Sequence, residues 1–152
     1  MALMATLAAG LLSMTAIALT QSENQGHLAA RTAEYAQDKM EQMLSLAYGD
    51  VLSDTRVFPA ADTGGTGLAL GGSSDPEAPE ALYVDYLNIA GTLLPAEGTT
   101  APANWYYKRV WEVESAGTNL KRITVTVKVK SAVGSTGRVP QATVASIKTY
   151  PF

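Results

Sequence analysis

Few residues in this chain of 152 have the type and spacing that chemistry requires. The one histidine, His27, cannot build a multi-histidine metal site. The absence of cysteine removes disulfides, thiolate metal sites, cysteine nucleophiles and c-type haem attachment together. Asp62, Asp75, Glu77 and Glu80 are the donors a calcium site would use, but they do not follow the alternating acid–glycine loop closed by a bidentate glutamate. Trp105, Tyr106 and Tyr107 are the residue types of carbohydrate stacking or electron hopping, and packing within a strand explains them more simply. Met40 and Met43 read as core-filling thioethers. No nucleophile elbow, phosphate loop, metal-ligand spacing or paired-carboxylate motif is present, so the expectation is a protein that is not an enzyme and carries no cofactor.

Charge narrows the partners. The net charge is −3 with pI near 5.1, and the basic residues are scattered apart from Lys121, Arg122, Lys128 and Lys130. Nucleic acid is not an expected partner, because phosphate binding needs clustered Lys and Arg.

The residues are unevenly mixed. Met1 to Thr20 carry no charge, and as a helix they would span about 30 Å, the thickness of a bilayer's hydrocarbon core. One reading is a signal peptide with Ala16-Ile17-Ala18 as its cleavage site; the missing basic n-region argues against it. The reading preferred here is a retained apolar helix. Leu3, Leu7, Leu11 and Met14 share one stripe, and Leu12 and Ile17 add apolar bulk. Ala5, Ala9, Ser13 and Ala16 form a small-residue side next to Gly10, which lets neighbouring helices approach closely.

Beyond the polar run Gln21 to Gln25, a helical period sets in: Ala29, Ala33, Ala36, Met40, Met43 and Ala47 recur at steps of four and three, with Leu44 alongside. Gly49 is the stop. The expectation is one helix over 1–48 with weak points at Gly10 and Gly26, followed by a head over 49–152.

In that head, 49–80 reads as a glycine- and proline-rich surface loop and 81–152 as a sheet. Strands are expected at 81–89, 104–115, 120–131 and 141–150, with 116–119 as a hairpin loop. On 104–115, Trp105, Tyr107, Arg109, Trp111 and Val113 share a side; on 120–131, Ile123, Val125, Val127 and Val129 do. Lys128 and Lys130 read as a solvated face or an edge guard. The fold class expected is α+β: a long N-terminal helix, hydrophobic in its first half, packed by its second half on a roughly four-stranded antiparallel sheet. Ala33, Ala36, Met40, Met43, Leu44, Ile123, Val125 and Val127 would form the helix–sheet core.

The run GLLSMTAIALTQ, the helix RTAEYAQDKMEQMLSLAYGD (31–50) and the strand pair YYKRVWEVES…LKRITVTVKVKS (106–131) together resemble the type IV pilin superfamily, its minor-pilin branch especially. The resemblance implies a filament subunit that waits in the inner membrane and is then polymerised by an assembly machinery into an extracellular fibre of identical subunits, serving adhesion or motility. Leu3, Leu7, Ala9, Gly10, Leu11, Leu12 and Ile17 would pack the fibre core. Members of that family carry a basic leader cut after a glycine and then a Phe-Thr-Leu-Ile-Glu-like run. Here Met1 stands inside the apolar stretch, the expectation is an incomplete or differently numbered start, and the processing-site residues are not carried over. The alternatives are a type II secretion pseudopilin and an exported β-rich binding module cleaved near Leu19 to Gln21.

Overall fold

The structure, a computed structural model, describes residues 26–57, 64–131 and 138–150. Helix α1 covers 26–45 and a 3₁₀ turn follows at Thr55–Val57. Strands β1 (Gly71–Gly72), β2 (Val84–Leu87), β3 (Leu93–Leu94), β4 (Tyr107–Gly117), β5 (Leu120–Val129) and β6 (Gln141–Thr149) make one antiparallel sheet in the order β3-β2-β4-β5-β6, with β1 paired to β4 beyond the end of β2.

This corrects the expected fold class. Among the described residues there is one helix of modest length and a six-stranded sheet, and strand outweighs helix. The two extra strands, β1 and β3, are two residues each, too short to carry any alternation in sequence. The helix stops at residue 45, short of Tyr48, where its last carbonyls take other partners: Ser45 Oγ donates to Gln42 O (2.7 Å) within the last turn, and two tertiary donors follow, Lys148 Nζ to Leu44 O and Lys121 Nζ to Tyr48 O (2.8 Å) just beyond. Lysines from β5 and β6 thus satisfy carbonyl groups that a helix C-terminus leaves open, and their charge suits its negative end. No described helix is long and apolar enough to cross a membrane. The expected continuation over residues 1–25, with Leu3, Leu7, Ala9, Gly10, Leu11, Leu12 and Ile17, lies outside the described residues.

One face of the sheet receives α1. Ala36, Met40 and Met43 bury against Tyr107, Trp111, Val113, Ile123, Val125, Val127 and Val129. Each fully buried aliphatic or Met side chain contributes roughly 1.5–3 kcal/mol of transfer free energy. Ala33 is half-buried, and Leu44, expected in this core, is 37% exposed on the flank where α1 ends.

The opposite face is also covered at its β2–β4 end, which a single apolar alternation did not anticipate. Val84, Tyr86 and Val110 pack under Leu94, Ala96, Ala101 and Trp105, so every residue of β2 is buried. Trp105 therefore sits on the face opposite Tyr107, not beside it as strand alternation predicted, because β4 begins only at Tyr107. Residues 64–72 are not a free surface loop. Leu68 is fully buried, Gly71 and Gly72 pair with Val113 and Glu112, and Gly72 adopts φ +87° where an added Cβ would lie 2.2 Å from Trp111 O. Lys128 is on a central strand, since β6 flanks β5, and its partner is Glu77.

Candidate functional site

The charged groups buried in this head come from three elements. Asp85 on β2 and Arg109 on β4 are direct cross-strand partners, which places both side chains on the α1 side of the sheet. Lys39 meets them from α1. It lies three residues after Ala36 and four before Met43, on the buried stripe of the helix. Lys39, Asp85 and Arg109 are 0%, 2% and 4% exposed.

The geometry is that of a completed network. Arg109 donates from Nε to Asp85 Oδ1 (2.6 Å) and from Nη2 to Oδ2 (2.9 Å), a bidentate fork. Its Nη1 reaches outward to Asp38 Oδ2 (3.2 Å) on α1. Lys39 Nζ donates to Asp85 Oδ2 (2.9 Å) and to the backbone oxygen of Thr55, and lies 3.8 Å from the centroid of the Trp111 ring. One ammonium thereby ties α1 to the sheet and to the segment that follows the helix. Burial pulls the Lys39 ammonium down to about 8, with Arg109 in the same direction and Asp85 opposing. Burial pushes the Asp85 carboxyl up, but Arg109 and Lys39 together outweigh it and hold the group below its ordinary value.

A lysine with a lowered pKa is a familiar catalytic nucleophile. Here access decides otherwise. A cleft of about 470 Å³ between α1 and the β2–β3 turn is lined by Glu34, Asp38, Glu41, Thr55 and Arg109, but Lys39 does not line it. Among the described residues the Lys39 ammonium has no exposed surface, and a buried pair of this kind serves as a rivet between elements. The cleft's acids stand at i, i+4 and i+7 on α1, and its unpartnered buried atoms, Gln42 Oε1 and Thr55 Oγ1, are sealed from solvent.

The groups singled out in the sequence are dispersed by the fold. Tyr107 packs edge-on to Tyr35 at 4.8 Å, whereas Trp105 packs on Tyr86 at 5.8 Å across the sheet, with Lys130 5.2 Å and Lys108 5.6 Å from its ring. The three adjacent aromatics make no common platform. Asp75 Oδ1 accepts from Glu77 N (2.9 Å), Glu80 Oε2 accepts from Gly72 N (3.1 Å), and Glu77 pairs with Lys128, while Asp62 lies outside the described residues. Among the described residues no group of three or more His, Cys, Asp or Glu is placed to hold a metal ion. His27 is exposed at the start of the described helix, away from these groups.

Sequence reasoning passed over Lys39 and Asp85. The usable signal was charge on an apolar face: Lys39 within the Ala36–Met43 stripe, Asp85 inside LYVDYL, and Arg109 among the inward residues of β4. Buried ions of both signs on facing elements call for each other, because a lone one is too costly. No protein family, no curated protein and no solved structure was found to match the chain.

Proposed function

We propose that this chain is a structural subunit of an extracellular filament of the type IV pilus kind, held in the inner membrane before assembly and polymerised through its apolar N-terminal segment. The observation that carries the reading is the order of parts. A charge-free segment, Met1 to Thr20, runs within a few residues into α1, and α1 is riveted to the sheet by Lys39, Asp85 and Arg109. A load applied to the N-terminal segment reaches the sheet through those contacts.

In the filament, residues 1–20 of neighbouring copies exchange lipid contact for close packing along Ala9, Gly10 and their neighbours, and a repeated heterologous contact yields an open fibre. Negative-stain microscopy tests this on the full chain. Leu7→Lys and Leu11→Lys place an ion in that packing and abolish fibres, while far-ultraviolet circular dichroism of the head is unchanged. Normal fibres in either variant overturn the proposal. So does mass spectrometry that finds the working protein beginning near Leu19 to Gln21, the outcome expected of an exported binding module.

A further inference from the structure

Strand β6 is the last strand on its side of the sheet, and among the described residues nothing pairs with its outer edge. The backbone hydrogen bonds say which groups face that edge. Val129 N donates to Pro140 O (3.1 Å) and Tyr150 N donates to Asn119 O (2.9 Å), so the even-numbered residues of β6 turn their N–H and C=O toward β5. The odd-numbered ones, Gln141, Thr143, Ala145, Ile147 and Thr149, therefore point theirs away.

Strand edges are ordinarily guarded by proline, bulges, several charges or shortness. The β6 edge has little of this. Its register with β5 is continuous from Gln141 to Thr149, it contains no proline, and its one charge is Lys148. Lys148 does not reach over the open edge, because its Nζ is bound to Leu44 O on the α1 side. Prolines stand just outside, at 140 and 151, and limit any added pairing to the strand itself.

We infer that β6 pairs antiparallel with β6 of a second copy of this chain, about a two-fold axis at Ala145. Charge and shape favour this occupant. In that register Ala145 faces its own counterpart, Thr143 faces Ile147 of the second copy, and Gln141 faces Thr149. These are uncharged pairs, one of them joining two β-branched side chains. Lys148 falls opposite Ala142, so no like charges meet. The five outward residues of each copy complete about ten backbone hydrogen bonds and merge two sheets into one. This contact is two-fold and self-complementary, distinct from the head-to-tail packing proposed for the apolar segment. It joins subunits in pairs or fibres side by side.

The chain has no cysteine, so an introduced one reports only its own contacts. In hydrogen-bonded antiparallel partners the Cα atoms lie about 5.5 Å apart, within disulfide range. Full-length Ala145→Cys under mild oxidant forms a disulfide dimer on a non-reducing gel at least about tenfold faster than Thr143→Cys, whose two copies would sit about 13 Å apart. An exposed control, Thr118→Cys, matches the slow rate. Ala145→Asp sets two carboxylates face to face, and Ala145→Pro removes an outward N–H without touching the β5 ladder. In the Leu7→Lys background, where no fibres form, both halve the mass measured by light scattering and keep the far-ultraviolet circular dichroism of wild type. Equal rates at 143 and 145, a 145 rate no greater than that at 118, or an unchanged mass in both Ala145 variants overturns the pairing. Two backgrounds separate the two ideas: a 145 disulfide that persists in Leu7→Lys without fibres supports this contact apart from the filament, and fibres of the otherwise native chain without a 145 disulfide overturn this contact and leave the filament standing.

Discussion

Replacing Asp85 by asparagine keeps the shape of the buried network and removes the anion shared by Lys39 and Arg109. The two cations respond differently. Lys39 can shed its proton. Its pKa is about 8 in the fold against 10.5 ordinarily, so holding the charge at pH 7 already costs on the order of 3 kcal/mol relative to the unfolded chain. Giving the proton up at pH 7 costs only a little more, so the further loss through Lys39 is capped at roughly 1–2 kcal/mol. Arg109 has no such escape, since a guanidinium does not deprotonate in proteins. It exchanges a bidentate carboxylate at 2.6 and 2.9 Å for a single neutral amide acceptor, and the one anion it keeps is Asp38, which is mostly in solvent. Breaking a buried pair from one side typically costs about 3–5 kcal/mol, and the lysine cap places most of that on Arg109. Urea unfolding followed by the fluorescence of buried Trp111 measures it.

The pH dependence carries its own sign. In the wild type the lowered Lys39 pKa means that the unfolded chain binds more protons between about pH 8 and 10.5, so stability rises with pH over that window. In Asp85→Asn the folded pKa of Lys39 falls further and the rise starts at lower pH. The deficit of the variant therefore shrinks as pH rises toward about 8. In acid the deficit shrinks as well, because Asp85 is held below its ordinary value and the wild type loses that contribution as pH falls through the folded pKa. A deficit under about 1 kcal/mol at pH 7, or one that does not change with pH, refutes the account of a desolvated, charge-balanced rivet.

Three further substitutions test neighbouring arguments. Lys39→Met removes the ion whose burial is costly and leaves Asp85 paired with Arg109, so by urea unfolding it falls within about 1 kcal/mol of wild type, far milder than Asp85→Asn. Gly72→Ala places a Cβ against Trp111 O at a φ of +87° and lowers stability by more than about 2 kcal/mol, read as a shift in thermal midpoint. Lys121→Met removes donors to Tyr48 O (2.8 Å) and Leu68 O (2.7 Å) beyond the end of α1, and costs about 1–2 kcal/mol with faster amide hydrogen exchange over residues 43–50.

How much was legible follows from the range of each signal. β5 declares itself because Ile123, Val125, Val127 and Val129 alternate with polar residues over ten positions, and all four are fully buried. Ala36, Met40 and Met43 mark the face of α1 for the same reason at a period of 3.6. Periodicity reports only that a face is apolar, and it says nothing of a two-residue strand such as β1 or β3. It cannot place Trp105, whose side depends on where β4 begins. The end of α1 escaped as well, since the carbonyls there are met by Lys121 and Lys148, which are more than seventy residues away in sequence.

What the sequence determined by itself is local: the charge-free segment 1–20, the amphipathic stripe of α1, the alternation of β5, and the absence of cysteine and catalytic motifs. Tertiary structure alone decided which charges are inside and which strand edge is left unpaired among the described residues. Lys39, Asp85 and Arg109 stand far apart along the chain, and only the packing of α1 on paired β2 and β4 brings them within hydrogen-bond reach. The physical reason is that dielectric environment and edge exposure are properties of the assembled layers. A residue acquires them from what folds over it, and its immediate neighbours in sequence do not encode that.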